Sequence, residues 1–190
     1  MVWLKGPFKG MPLYSLTLEE RATCDSSCPI WDNCYGNHMP FASRFDVTMD
    51  QGAALMALLS TELTQLDSRH PDGYSIRLHV LGDFFSTDYV YWWRSQLTIH
   101  PLLHIFGYTH RTGPITTAID ETFTKFPDRF VILQSDSTQP SIRPVALIEG
   151  LTPGAELLPL CLEQAGQLSG CLECGLCTNS RIKGVRFRRH

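Results

Sequence analysis

The 190-residue chain contains no apolar run approaching the roughly 18–20 residues that a membrane-spanning helix requires. A protein without a membrane anchor is expected. The first nine residues, Met-Val-Trp-Leu-Lys-Gly-Pro-Phe-Lys, also lack the continuous apolar region of a secretory signal. The expected location is therefore cytoplasmic. No polar low-complexity tract is present, and 43% hydrophobic with 18% charged residues is the composition of a folded globular chain. A net charge of −3 excludes a basic field over the whole molecule. Residues 181–190 nevertheless carry five Lys and Arg side chains and no acid. This basic tail is either a solvated end or an arm for phosphate or nucleic acid.

What the chain does have is thiol, confined to two places. Cys24, Cys28 and Cys34 fall within a Pro-, Gly-, Asn- and Asp-rich stretch, and Cys161, Cys171, Cys174 and Cys177 lie near the other end. Seven is an odd number, and clustered thiols in a reducing compartment point to metal ligation before disulfides. Thiolates suit zinc, copper(I) and iron–sulfur clusters. Three cysteines can hold a [4Fe–4S] cluster with one iron left open, or a zinc ion with a free position; His38 could supply a fourth ligand and close the site. The C-terminal four form a complete set. Their two successive Cys-x-x-Cys steps are closer to cluster-binding runs than to the separated knuckles of zinc ribbons.

Apolar periodicity predicts a first strand over 12–18, then a long loop over 22–46 whose length calls for a ligand. Thr48 and Gln51 read as a capping box opening a helix that carries Leu55, Leu59, Leu63 and Leu66. A strand is expected over 74–85, with Arg77 and His79 as packing or solvent-facing positions. A helix capped by Ser86 or Thr87 follows, with Tyr91, Trp92 and Trp93 covering the sheet. Further expectations are a strand over 102–108, a helix opened by Pro114, a strand over 130–134, and shorter strands at 145–148 and 157–160. Strand and helix in alternation with short connections signify a parallel α/β domain. The cysteine loop, Gly82-Asp83, His110-Arg111 and Ser135-Asp136 all follow strands. They should collect at the carboxyl edge of the sheet, where such folds place their sites.

The order of Asn33-Cys34-Tyr35, Leu81-Gly82-Asp83-Phe84-Phe85-Ser86, Gly107-Tyr108-Thr109-His110-Arg111 and the run 171–177 resembles the phage and plasmid "gene product 88" family over residues 10–190. More distantly, the plan is similar to the radical S-adenosylmethionine superfamily. That similarity implies a partial β/α barrel over 1–160, with a Cys-rich metal-binding extension and basic tail over 161–190 packed on it. It implies an iron–sulfur enzyme in which Cys24, Cys28 and Cys34 hold a [4Fe–4S] cluster. Tyr35 would be the neighbouring aromatic, and Gly82 with Asp83 would bind the amine of S-adenosylmethionine. His110, Arg111 or Asp136 would touch cofactor or an unknown substrate, and the C-terminal cysteines would hold an auxiliary cluster. The spacing here is three residues and then five, where that superfamily has three and then two. The alternative from another class is a zinc- or cluster-stapled module that binds nucleic acid or a protein.

Overall fold

The computed structural model describes residues 2–8, 11–137, 141–168 and 170–188. A seven-stranded sheet runs in chain order: β1 (Val2–Phe8), β2 (Met11–Ser15), β3 (Tyr74–Leu78), β4 (Leu103–Thr109), β5 (Phe130–Ser135), β6 (Val145–Ile148) and β7 (Gly184–Phe187). β1 pairs antiparallel with β2, and all later pairings are parallel. The helices are the single turn α1 (Glu20–Thr23), then α2 (Ala53–Arg69), α3 (Thr87–Ile99), α4 (Pro114–Lys125) and the single turn α5 (Cys171–Cys174).

Because each parallel strand lies beside the next in the chain, the order never reverses. Right-handed crossovers then place every connecting helix on one face. The six parallel strands curl into a half-barrel with a helix-covered convex face and a concave inner face. Two apolar layers result. On the convex side Ile76, Leu78, Ile105 and Ile132 meet Leu59 and Leu63 of α2, Val90, Trp93 and Leu97 of α3, and Ile119 of α4. On the concave side Leu13, Phe106, Val131, Leu133, Ala146 and Val185 pack with Cys161 and Cys177. The C-terminal cysteine segment therefore lines the barrel's inner face. No helix among the described residues is long and apolar enough to cross a membrane.

Local chemistry explains most of the boundaries. Ser86 caps α3 by accepting from the Tyr89 amide at 3.1 Å, and Pro114 occupies the first turn of α4. The Thr48–Gln51 capping box does not form. Instead Asp50 accepts from the amides of Gly52 and Ala54 at 3.0 and 2.7 Å, and α2 starts at Ala53 behind a left-handed Gly52. An ionised carboxylate is the better acceptor for helix-opening amides, so it takes the place of the hydroxyl.

The expected strand over 74–85 stops at Leu78, where His79 adopts a left-handed φ of 55°. The expected strand at 157–160 reduces to one bridge, Leu160 to Arg186. Part of the basic tail is a strand. Residues 184–187 form β7, since Val185 is an inner-face core residue and Gly184 admits the close approach of Val145, which a Cβ would obstruct. Arg186 pairs with Glu149 at 3.8 Å and Arg188 donates to the Gln164 carbonyl, so neither belongs to a free arm. Arg189 and His190 lie outside the described residues.

Candidate metal and substrate cavity

The cysteine loop is built by three arginines that bind its backbone. Arg44 grips Glu20 through both ends of its fork, at 2.7 and 3.2 Å, and donates to the carbonyls of Met39, Ala42 and Gly36 at 3.0 Å. Burial favours the neutral form of Glu20, but these bonds win and hold its carboxyl below the usual range. Arg21 lies over the Trp31 ring at 4.3 Å, donates to the Trp31 carbonyl at 3.2 Å and reaches Asn37 Oδ1. Arg111 donates to the carbonyls of Phe84 and Thr23 and lies 3.6 Å from Asp25. A guanidinium is permanently charged and forked, which suits it to gathering several carbonyls of an irregular loop.

This loop forms one wall of a cavity of about 430 Å³ at the carboxyl edge of the parallel strands, a size that suits a small organic molecule. Cys24, Cys28 and Cys34 line it with Trp31 and Tyr35. Arg77, Tyr108, His110, Asp136 and Ile148 line it from the strand ends, and Cys161, Cys171, Phe187 and Arg188 from the C-terminal segment. Residues from both cysteine sets, more than 120 positions apart in sequence, thus border one space.

The sulfurs within each set feel one another. Burial pushes the Cys24 thiol up to about 12, and Asp83, Cys28 and Cys34 add to it while Arg111 opposes. Burial likewise pushes Cys177 up to about 12, with Cys171 and Cys161 contributing and a hydrogen bond from Tyr108 opposing. Burial also raises Cys171, against the pull of Arg77 and with contributions from Cys161 and Cys174. A bound cation removes that mutual penalty, because a coordinating thiol is deprotonated outright. The donor chemistry of each set is thus that of soft-metal ligation, which zinc and iron–sulfur clusters share. Among the described residues no three Cys, His, Asp or Glu side chains converge tightly enough to hold a single metal ion.

His110 joins this wall to the sheet. Its Nε2 lies 3.0 Å from Asp136 Oδ2, and it is also hydrogen-bonded to Cys28. Burial alone would lower the imidazole, but the bonds to Asp136 and Cys28 outweigh it and raise it to about 10. Asp136, in a left-handed conformation at φ 47°, is itself fixed by the Ile148 amide at 3.0 Å and the Thr152 hydroxyl at 2.9 Å. Such a carboxylate–imidazole pair commonly orients a metal-binding residue from behind.

Asp83 is placed differently from its neighbours. It is 4% exposed and does not line the cavity. Its Oδ1 accepts from the Phe84 amide and the Thr109 hydroxyl, both at 2.7 Å, and its Oδ2 accepts from the His110 amide at 2.9 Å. All three partners donate, so the site suits the ionised form. Burial nonetheless pushes Asp83 above the usual carboxylate range against these bonds and Arg111. Gly82, at φ 88°, borders the cavity; a Cβ there would meet Thr23 Oγ1 at 2.7 Å.

Of the residues singled out from sequence, Tyr35, Gly82, His110, Asp136, the three N-terminal cysteines, Cys161 and Cys171 reach the cavity. Asp83, Arg111, Cys174 and Cys177 are not among the residues that line it. His38 also lies outside it. The residue that sequence reasoning undervalued is Arg77. Parallel strands are covered on both faces, so an arginine between Ile76 and Leu78 has no solvent-facing side to occupy. That was the available signal. His79 does behave as packing: its left-handed turn ends the alternation, and its ring sits edge-on to Phe84 at 4.6 Å.

No family model, curated protein or solved structure matches this chain.

Proposed function

We propose that the chain is a cluster-carrying enzyme of the radical S-adenosylmethionine type, acting on a small molecule in the cavity at the strand ends. The observation that carries this is the meeting of both cysteine sets at one cavity on the carboxyl edge of a parallel half-barrel. Cys24, Cys28 and Cys34 would hold a [4Fe–4S] cluster, and Cys161, Cys171, Cys174 and Cys177 a second. A cluster held there by three thiolates would leave one iron open to S-adenosylmethionine and, once reduced by an external electron donor, would supply the electron for its reductive cleavage. The chain's share is positioning and exclusion of water. Arg21, Arg44 and Arg111 fix the loop that carries the three thiols. His110, braced by Asp136, holds Cys28, while Trp31, Tyr35, Tyr108 and Phe187 give the cavity apolar walls.

The loop's own scaffold weighs against a purely stapling role for the cysteines. Eight hydrogen bonds from Arg21 and Arg44 tie residues 20–44 together, which supports a role for a bound metal beyond ordering that backbone. The decisive experiment is anaerobic purification with iron, sulfide and zinc analysis, then electron paramagnetic resonance of the reduced protein with and without S-adenosylmethionine. The expected result is about eight irons per chain and a spectrum that changes on adding the cofactor. Zinc with little iron, or a cluster spectrum indifferent to S-adenosylmethionine, would overturn the proposal.

A further inference from the structure

Arg77 lies on the concave face. In register it lies beside Ser15 of β2 and Phe106 of β4, one residue before the end of β3. Its guanidinium sits 5.7 Å from the centre of the Tyr108 ring and borders the cavity. The Nε is buried without a hydrogen-bond partner, and no carboxylate among the described residues forms an ion pair with Arg77.

The contrast with the other inward-facing cations is what matters. Arg143, fully buried, is matched by Asp120, the Ile132 carbonyl and Gln134. Glu20 is matched by Arg44, and His110 by Asp136. Each of these described interior charges has a charged partner, and Arg77 has none. The groups acting on Arg77 are the phenols of Tyr108 and Tyr35 and the thiols of Cys171 and Cys177. A guanidinium cannot shed its proton to escape burial, and an uncompensated buried charge is costly. Those phenols and thiols favour the charged guanidinium against burial, but none supplies an ion-pair partner, and that is what an anion on the entering molecule would add.

We propose that Arg77 anchors an anionic group, a carboxylate or a phosphate, of a small molecule bound in this cavity. The guanidinium fork matches the paired oxygens of either group, and the aromatic walls suit a ligand whose remainder is apolar or a flat ring. The inference builds on the cavity's proposed role as a substrate site, but its test reads no cluster chemistry, so either can fail alone. The anion could belong to a substrate or to the carboxylate of S-adenosylmethionine, and the experiment separates these sources.

The full-length chain is purified anaerobically, its metal content is measured, and thermal melting and calorimetry are followed with inorganic phosphate against chloride at matched ionic strength. Phosphate should raise the melting temperature of the wild type. Arg77→Met should melt at or above the wild type without ligand, since it removes an uncompensated charge, and should bind phosphate about ten- to a hundredfold more weakly. A parallel titration with S-adenosylmethionine then assigns the source. Weakened binding in Arg77→Met identifies the cofactor's carboxylate, whereas unchanged binding with the phosphate response lost identifies a second, anionic molecule. Equal phosphate responses in both proteins, or none in the wild type, would overturn the proposal. So would an Arg77→Met protein that melts lower and has lost metal, since Arg77 would then serve the cysteines. If Arg77→Met does not accumulate, Arg77→Lys carries the test: a weaker phosphate response at unchanged metal content is expected, and an unchanged response refutes the fork.

Discussion

Asp83 separates two accounts of the glycine-acid pair most sharply. If it bound the amine of S-adenosylmethionine, as the sequence resemblance implies, Asp83→Ala would leave the fold intact and weaken cofactor binding. The geometry predicts the reverse. Removing the carboxylate strands two buried backbone amides, of Phe84 and His110, and the Thr109 hydroxyl. Each unsatisfied buried donor costs about 1–3 kcal/mol, though the hydroxyl can turn elsewhere; a loss of about 3–5 kcal/mol is expected for Asp83→Ala. Asp83→Asn keeps an acceptor for Phe84 and Thr109 but turns an amide N–H₂ toward the His110 N–H, so about 2 kcal/mol is expected. With a urea dependence of about 2 kcal/mol per molar, these losses move the unfolding midpoint by about 1.5–2.5 M and 1 M. Cofactor affinity, measured by calorimetry under conditions where Asp83→Asn is fully folded, should change less than the stability does. A variant that unfolds within about 0.5 kcal/mol of the wild type but has lost the cofactor would refute the assignment of Asp83 as a positioning residue.

The other expectations are briefer. Arg44→Met should release the cysteine loop, since it removes the Glu20 ion pair and three carbonyl contacts; faster hydrogen exchange over residues 33–44 with protected β3 and β4 is expected, and uniform protection would contradict it. Burial lowers the His79 pKa to about 3, so its contribution to stability is present above the unfolded value near 6.5 and is lost as pH falls toward 3. Wild type should therefore lose about 1.4 kcal/mol per pH unit more than His79→Gln between pH 6 and pH 4 in urea titrations, and parallel slopes would show that the imidazole is not buried neutral.

Much of this architecture was legible because it follows from local patterning. Leu55, Leu59, Leu63 and Leu66 announce α2, Ser86 and Pro114 announce the next two helices, and the strand-to-helix alternation implies parallel pairing. What local patterning could not supply was the choice between competing local solutions and the long-range pairings. Thr48 and Asp50 both offer an oxygen to the start of α2, and only the turn geometry favours the carboxylate. Val185 and Phe187 alternate with Arg186 as a strand should, but the concentration of positive charge masked a four-residue strand that finds its partner nearly forty residues upstream. At the cavity, sequence brought the right segments to one edge but could not say which way each side chain turns. The left-handed residues His79, Gly82 and Asp136 break the alternation at those strand ends, and the buried orientation of Asp83 depends on contacts with β4.

The distribution of interior charge ties the fold to its proposed use. Three arginines of the loop region spend their donors on backbone carbonyls and carboxylates within the chain, and Arg143 does the same beneath α4. These contacts tie an irregular loop of more than twenty residues to itself and to the strand ends, and Cys24, Cys28 and Cys34, none of them in a disulfide, line the wall it forms. Across the cavity, Cys161 and Cys177 are held in the apolar inner face by β4, β5 and β7. A protein that needed metal only to hold itself together would show the opposite economy, with few polar loop contacts and the cysteines as the main cross-links. Here a polar framework and five of the seven thiols border the same space, and Arg77 borders it without an ion-pair partner among the described residues.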